Sequence, residues 1–161
     1  MNKPIYQVKN SASGTFQDIE TQFSGVRILK MDGFLELGKP VNIYTAQWVN
    51  EQAEDFLITT VNQSNQPVVI RENVDISITF IVGNRYSSSP NFDAQATHDT
   101  FVKYMTDSDV WIQSGYMGNK YVHCVCLSAY KPTTVKLGRG NDSYILGTLT
   151  LHTLDAPQTS S

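Results

Sequence analysis

The residues able to do chemistry are few, and their spacing decides what they can do. The chain has three histidines, His98, His123 and His152, and two cysteines, Cys124 and Cys126. No two histidines stand in an H-x-H or H-x-x-x-H arrangement, the spacings that bring two imidazoles to one metal. Cys124 and Cys126 lie two apart in a β-rich stretch, so a strand turns both thiols to one face, a poor geometry for bonding each other. His123 then points away from Cys124. A zinc site from Cys124, Cys126 and His152 requires that their strands pair and that a fourth ligand be found. The expectation is free, buried thiols in a protein folded in a reducing cytoplasm. Thr97-His98-Asp99 sets a base beside an acid, but no G-x-S-x-G elbow offers a nucleophile. Asp107/Asp109 and Glu51/Glu54 are carboxylate pairs, and acid–base work needs such a pair buried and convergent. Asp107-Ser108-Asp109 reads as a turn, without the regular oxygen ladder of a calcium loop. Gly138-Arg139-Gly140 is too short to cradle a phosphate and reads as a glycine-flexed turn. Tyr44, Trp48, Tyr86, Trp111, Tyr116, Tyr121 and Tyr130 are rings enough to stack on a sugar, although most rings in a β domain belong to its core. The sequence therefore predicts no catalytic residue, no cofactor-binding residue, no metal ligand, no cofactor and no enzyme.

The elements that must position these residues are mostly strands. Val74, Ile76, Ile78, Phe80 and Val82 are apolar and Asp75, Ser77 and Thr79 sit between them, a period of two that puts one set on a single face. After a Gly/Ser/Pro loop, 83–90, the period changes. Ala94, His98, Phe101, Val102 and Met105 form the stripe of one short helix, about residues 93–106. Further strands are expected at 5–8, 26–31, 41–49, 56–61, 110–113, 119–130, 133–137 and 144–154. Asp32-Gly33 is a hairpin turn signal continued by Phe34 to Leu37, and Lys131-Pro132 ends the strand before it. In the strand at 26–31, Val26, Ile28 and Lys30 are expected to share a face. Residues 10–22 are polar and Gly/Ser-marked, a loop expected to contribute little to the core and to reach a neighbouring subunit. Short strands at intervals of about 8–12 residues indicate a mainly β protein, a β-sandwich or barrel-like domain with one flanking α-helix. Ser77 with Thr79, and Thr148 with Thr150 and His152, give polar faces that meet water or a polar interface.

Composition narrows the class. At 161 residues one domain, 1–161, is the default, with a polar N-terminal segment and a short polar C-terminal tail. A domain of this size buries about 70% of its unfolded surface and needs neither disulfide nor metal to hold it. The net charge of −3 and the absence of a Lys/Arg block exclude the electrostatic footprint of a dedicated nucleic-acid binder. Met1 to Ile5 lack the apolar core of a secretory signal, so the sequons at Asn62 and Asn141 are read as chance. No run approaches the ~18 apolar residues of a membrane span, and no membrane partner is expected.

The stretch from Val69 to Leu154 resembles the tail-tube and distal-tail superfamily of long-tailed bacteriophages. The resemblance lies in order: the alternating strand Val74–Val82, a loop, the helix Ala-x-x-x-His-x-x-Phe-Val-x-x-Met, and a short strand Val110–Gln113. A turn at Gly115-Tyr116-Met117-Gly118-Asn119, a long strand Lys120–Tyr130 and a closing strand Tyr144–Leu154 follow. It implies a β-sandwich flanked by one helix, self-associating into rings, often hexameric, around a channel that DNA crosses without sequence-specific contact. It further implies other tail or neck proteins as partners, and a structural virion protein assembled in the host cytoplasm. No binding residue transfers with it. Two other readings stand beside it: a β-sandwich binding module for carbohydrate, particle decoration or receptor binding, and a small hydrolase with a concealed site.

Overall fold

The computed structural model describes residues 5–34, 46–49, 55–58, 75–115, 118, 120–136, 143–155 and 157–159. Its elements run β1 (Tyr6–Lys9), β2 (Gln17–Asp18), α1 (Ile19–Gln22), β3 (Val26–Asp32), β4 (Ala46–Val49), β5 (Asp55–Ile58), β6 (Asp75–Gly83), a 3-10 turn (Asn84–Tyr86), α2 (Ala94–Thr106), β7 (Val110–Ser114), β8 (Lys120–Cys126), β9 (Thr133–Lys136), β10 (Ser143–Thr153) and β11 (Gln158–Thr159). They divide into two compact units, one from 1–37 with 73–161 and one from 38–72. The second contributes a two-stranded antiparallel hairpin, β4 with β5, in which Trp48 stands opposite Phe56. The rest of the strands expected at 41–49 and 56–61 lies outside the described residues.

The first unit is mainly β with one flanking helix, as the sequence predicts. Nine strands form one antiparallel sheet in the order β2-β1-β7-β8-β10-β6-β3, with β9 also on β10 and β11 also on β8. Ile76, Ile78, Phe80 and Val82 of β6 are all fully buried, and their partners Leu151, Leu149 and Ile145 on β10 turn to the same face. That alternation is what the strand period demands. The helix α2 lies on this core face and makes the arrangement sandwich-like. Asp93 caps it by accepting from the Ala96 amide at 3.1 Å. His98, Phe101 and Met105 point inward, with Ala94 and Val102 half-buried at the margin. Phe101 meets Phe80 edge-on at 4.8 Å between centroids, an arrangement the ring quadrupoles favour.

Three local expectations are corrected. Residues 10–22 are not a mere polar loop. Asp18 accepts from the amides of Glu20 and Thr21 and so caps α1, Ile19 is fully buried, and the Glu20 carboxylate accepts from the Ile28 amide at 2.8 Å. In β3 the register shifts between Ile28 and Lys30, leaving Leu29 exposed and turning Met31 toward the core opposite Ile78. Lys30 therefore does not share the face of Val26 and Ile28.

The strand expected over 119–130 stops at Cys126 and resumes as β9. Cys126 stands opposite Leu151 and Thr133 opposite Leu146, so 127–132 face 147–150 and this side carries two extra residues. Pro132 has no amide hydrogen to give the ladder. Tyr130 folds inward over Gly147, where a Cβ would come within 2.1 Å of its hydroxyl.

Candidate functional site

With one face sealed, the other face of the sheet is where side chains can meet a partner. Strand parity sends to it Gln7 and Lys9 from β1, Trp111 and Gln113 from β7, and Tyr121 and His123 from β8. His152, Thr150 and Thr148 of β10, opposite Asp75, Ser77 and Thr79 of β6, complete it. The β10–β6 end is polar. Thr79 and Thr148 hydroxyls meet at 3.2 Å, and His152 Nδ1 lies 2.8 Å from the Asp75 carboxylate.

The β1–β7–β8 end is aromatic. Trp111 and His123 stack in parallel, with centroids 4.4 Å apart and planes 1° from parallel. Nε2 of His123 lies 2.9 Å from Asp109 and Nδ1 3.1 Å from Asp155. Carboxylates only accept, so the ring holds one of these bonds as a donor when neutral and both as an imidazolium. Asp155 belongs to the segment after β10, which thereby straps across β8 toward β11. The backbone bond from Leu154 to the His123 carbonyl at 2.8 Å and the Tyr121–Gln158 side-chain bond at 2.9 Å fix the same strap. Beside it the Lys9 ammonium stands 4.9 Å from the Phe16 ring centroid, 5.6 Å from Tyr121 and 5.8 Å from Trp111. Rings at these distances attract a cation through their negative faces. Lys9 also donates to the Ala12 carbonyl at 2.7 Å.

A second polar group lies in the interior. His98 is almost fully buried. Its Nδ1 lies 2.9 Å from Asp99, and Nε2 lies 2.7 Å from the Tyr130 hydroxyl. Asp99 accepts, so Nδ1 carries a hydrogen, and Nε2 accepts from the Tyr130 hydroxyl when the ring carries no second one. This Tyr–His–Asp line resembles a relay in geometry only. Burial, reinforced by the Asp99 charge, pushes the Tyr130 phenol up to about 12, so it remains protonated at neutral pH. The His98 hydrogen bond in turn holds Asp99 below its ordinary value. The line works as a latch between α2 and the bulge before β9.

The other candidates from the sequence separate. β8 and β10 do pair, but His152 stands opposite Val125, which places it on the face away from Cys124 and Cys126. The zinc arrangement is thereby broken, and among the described residues no three His, Cys, Asp or Glu side chains converge on a metal position. Cys124 is a buried free thiol pushed up to about 12 by burial, and Cys126 is free and half-buried. Asp107 caps the end of α2 while Asp109 serves His123, so that pair does not converge. Tyr86 lies near Arg27 and Tyr144. Glu51, Glu54, Tyr44, Tyr116 and Gly138-Arg139-Gly140 lie outside the described residues, as does the Trp48 side chain. Lys9, Phe16 and Asp155 escaped sequence reasoning, because only the pairing of β1 with β7 and of β11 with β8 gathers them. Among the described residues no helix is long and apolar enough to cross a membrane. No family model matches the chain, and no curated protein matches it.

Proposed function

We propose that this chain is a non-enzymatic structural subunit of a phage tail tube or tail-associated ring, which self-associates around a channel that DNA crosses. The supporting observation is the two-faced sheet: α2 seals one face, while Ser77, Thr79, Thr148 and Thr150 turn hydroxyls outward on the other. Sheets of this kind joined edge to edge enclose a polar, water-filled lumen. The edges suit such joining. Among the described residues β3 and β2 each have a neighbour on one side only. Arg27, Lys30 and the extruded Leu29 on β3 restrict pairing to a matched partner. The lumen must not grip the phosphate backbone, and a mildly acidic chain with a hydroxyl-lined face meets that demand. On this reading the protein acts in the virion, is assembled in the host cytoplasm, and meets other tail or neck proteins through the ring faces.

Native mass spectrometry of the purified chain, with negative-stain electron microscopy, tests the proposal. Closed rings of about six copies with a central hole are expected, cyclic symmetry being the rule for such assemblies. A monomer at every concentration, or a compact trimer without a hole, overturns it.

A further inference from the structure

His123 stands where three elements meet, and each contributes a group that favours a charged imidazole. Asp109, immediately before β7, places a carboxylate 2.9 Å from Nε2. Asp155, on the segment after β10, places another 3.1 Å from Nδ1. Trp111 of β7 lays its ring along the imidazole at 4.4 Å, presenting the face a cation seeks. The imidazole is largely shielded, at 18% exposure, while both carboxylates are about half exposed. The other titratable side chains on this face are Lys9 of β1, 5.8 Å from the Trp111 centroid, Tyr121 of β8, and His152 of β10. His152 stands opposite Val125 and is held by Asp75.

An imidazolium donates at both nitrogens and so ties both carboxylates. A neutral ring carries one hydrogen, and its second nitrogen turns a lone pair toward a carboxylate oxygen, which repels it. One carboxylate must then give way. Asp109 is fixed by the chain on either side, between α2 and β7. Asp155 rides on the strap, whose strand β11 is two residues long and exposed. The strap's other ties described above are neutral: the Leu154 bond, the Tyr121–Gln158 bond, and the register of Gln158 with Tyr121 and Thr159 with Lys120.

We propose that His123 is a proton-operated clasp for the C-terminal strap. Protonated, the ring holds Asp155 and the strap lies down on β8. When the proton leaves, the ring keeps Asp109 and releases Asp155. The strap then opens and bares the edge of β8 at Lys120 and Tyr121, which β11 covers. Imidazoles change charge between about pH 5 and 8, so the strap is shut on the acid side of that window and looser on the alkaline side. All groups come from one chain, so the clasp operates whether or not rings form.

Hydrogen exchange followed by NMR at about pH 5.5 and about pH 8, at one protein concentration, tests the clasp. Protection factors divide out the pH dependence of the exchange chemistry itself. The Leu154 amide, which donates to the His123 carbonyl, is expected to be about threefold better protected at the acid pH, the scale of an exposed ion pair. The Phe80 and Val82 amides, in the middle of the sheet, are expected to be equally protected at both. His123→Gln keeps a donor but cannot change charge, and Asp155→Asn removes the charge on the strap. Both should abolish the difference at Leu154 in protein shown by circular dichroism to be folded. His152→Asn, which silences the other histidine of this face, should preserve it. Equal Leu154 protection at the two pH values in the parent, a difference that persists in folded His123→Gln, or one that disappears in His152→Asn overturns the clasp. So does a parallel change at Phe80 and Val82, which would report loosening of the whole sheet rather than of the strap.

Discussion

Ile78 has no exposed surface and stands between Leu149 and Met31 in the register of three strands. Ile78→Asp places a carboxylate there without a partner. It is expected to cost several kcal/mol, comparable to the whole stability of a domain, and to yield insoluble or non-cooperatively melting protein. The Tyr130 latch is subtler. Tyr130→Phe leaves Nε2 of the buried His98 without its hydrogen-bond partner, an expected loss of about 1–3 kcal/mol in denaturant unfolding. Gly147→Ala reaches the same contact from the other side, since its methyl meets the Tyr130 hydroxyl, and the two changes together should cost less than the sum of each alone. Cys124 gives a pH signature. Its ordinary value is 9.0 and burial raises it to about 12. Above pH 9 the unfolded chain loses this proton while the folded chain keeps it, so stability is full below that pH and falls as pH rises toward 12. A Cys124→Ala variant should lose less stability over that window, read from urea midpoints. Alkylating reagents at neutral pH should label Cys126 first and Cys124 only on unfolding.

At the scale of elements, α1 decides whether residues 10–22 belong to the fold. Ile19→Ala should cost about 2–4 kcal/mol as a buried large-to-small change. Asp18→Ala should cost about 1 kcal/mol as a lost cap. Excising Asn10–Gln22 should abolish the thermal transition, whereas a loop that served only assembly would leave the melt unchanged. The elements that the sequence revealed were those whose information is local. β6 alternates cleanly because both its neighbours bury the same face, and the stripe of α2 ends at a capping Asp. Elements shaped by a distant partner stayed hidden. Ile19 stands in a run with few apolar residues, and only its packing against the main core gives it meaning. Tyr130 reads as a strand residue until Gly147 opens the space for it to fold inward. The face flip at Leu29 needs the register with β6, which no window of β3 contains. The candidate site was legible in part: Trp111, Tyr121 and His123 were visible as residues, but their grouping with Lys9, Phe16 and Asp155 depends on strand order.

For the molecule as a whole, the unit at 38–72 is inserted between β3 and β6, which are antiparallel partners in the sheet. The strand ends flanking the insertion therefore lie side by side. Replacing Gly38–Glu72 with a short Gly-Ser linker should leave the sheet unit folded, with one cooperative melt close to that of the parent, as loop length enters the entropy only logarithmically. Loss of that melt would show that the inserted unit supports the sheet. Strand order also governs how the chain is made. β1 pairs with β7, which follows it by about a hundred residues, so at about 5–20 residues per second β1 waits roughly 5 to 20 seconds on the ribosome for its neighbour. Longer still is the wait for β10. It joins the wing β2-β1-β7-β8 to the wing β6-β3, yet of the described strands only β11 is synthesised after it. The keystone of the sheet is thus nearly the last piece to leave the ribosome. A nascent chain holds two unjoined wings with exposed edges until then, and is expected to call on chaperones. A message broken anywhere before Ser143 leaves the two wings of the sheet unjoined, and quality control is expected to clear the product.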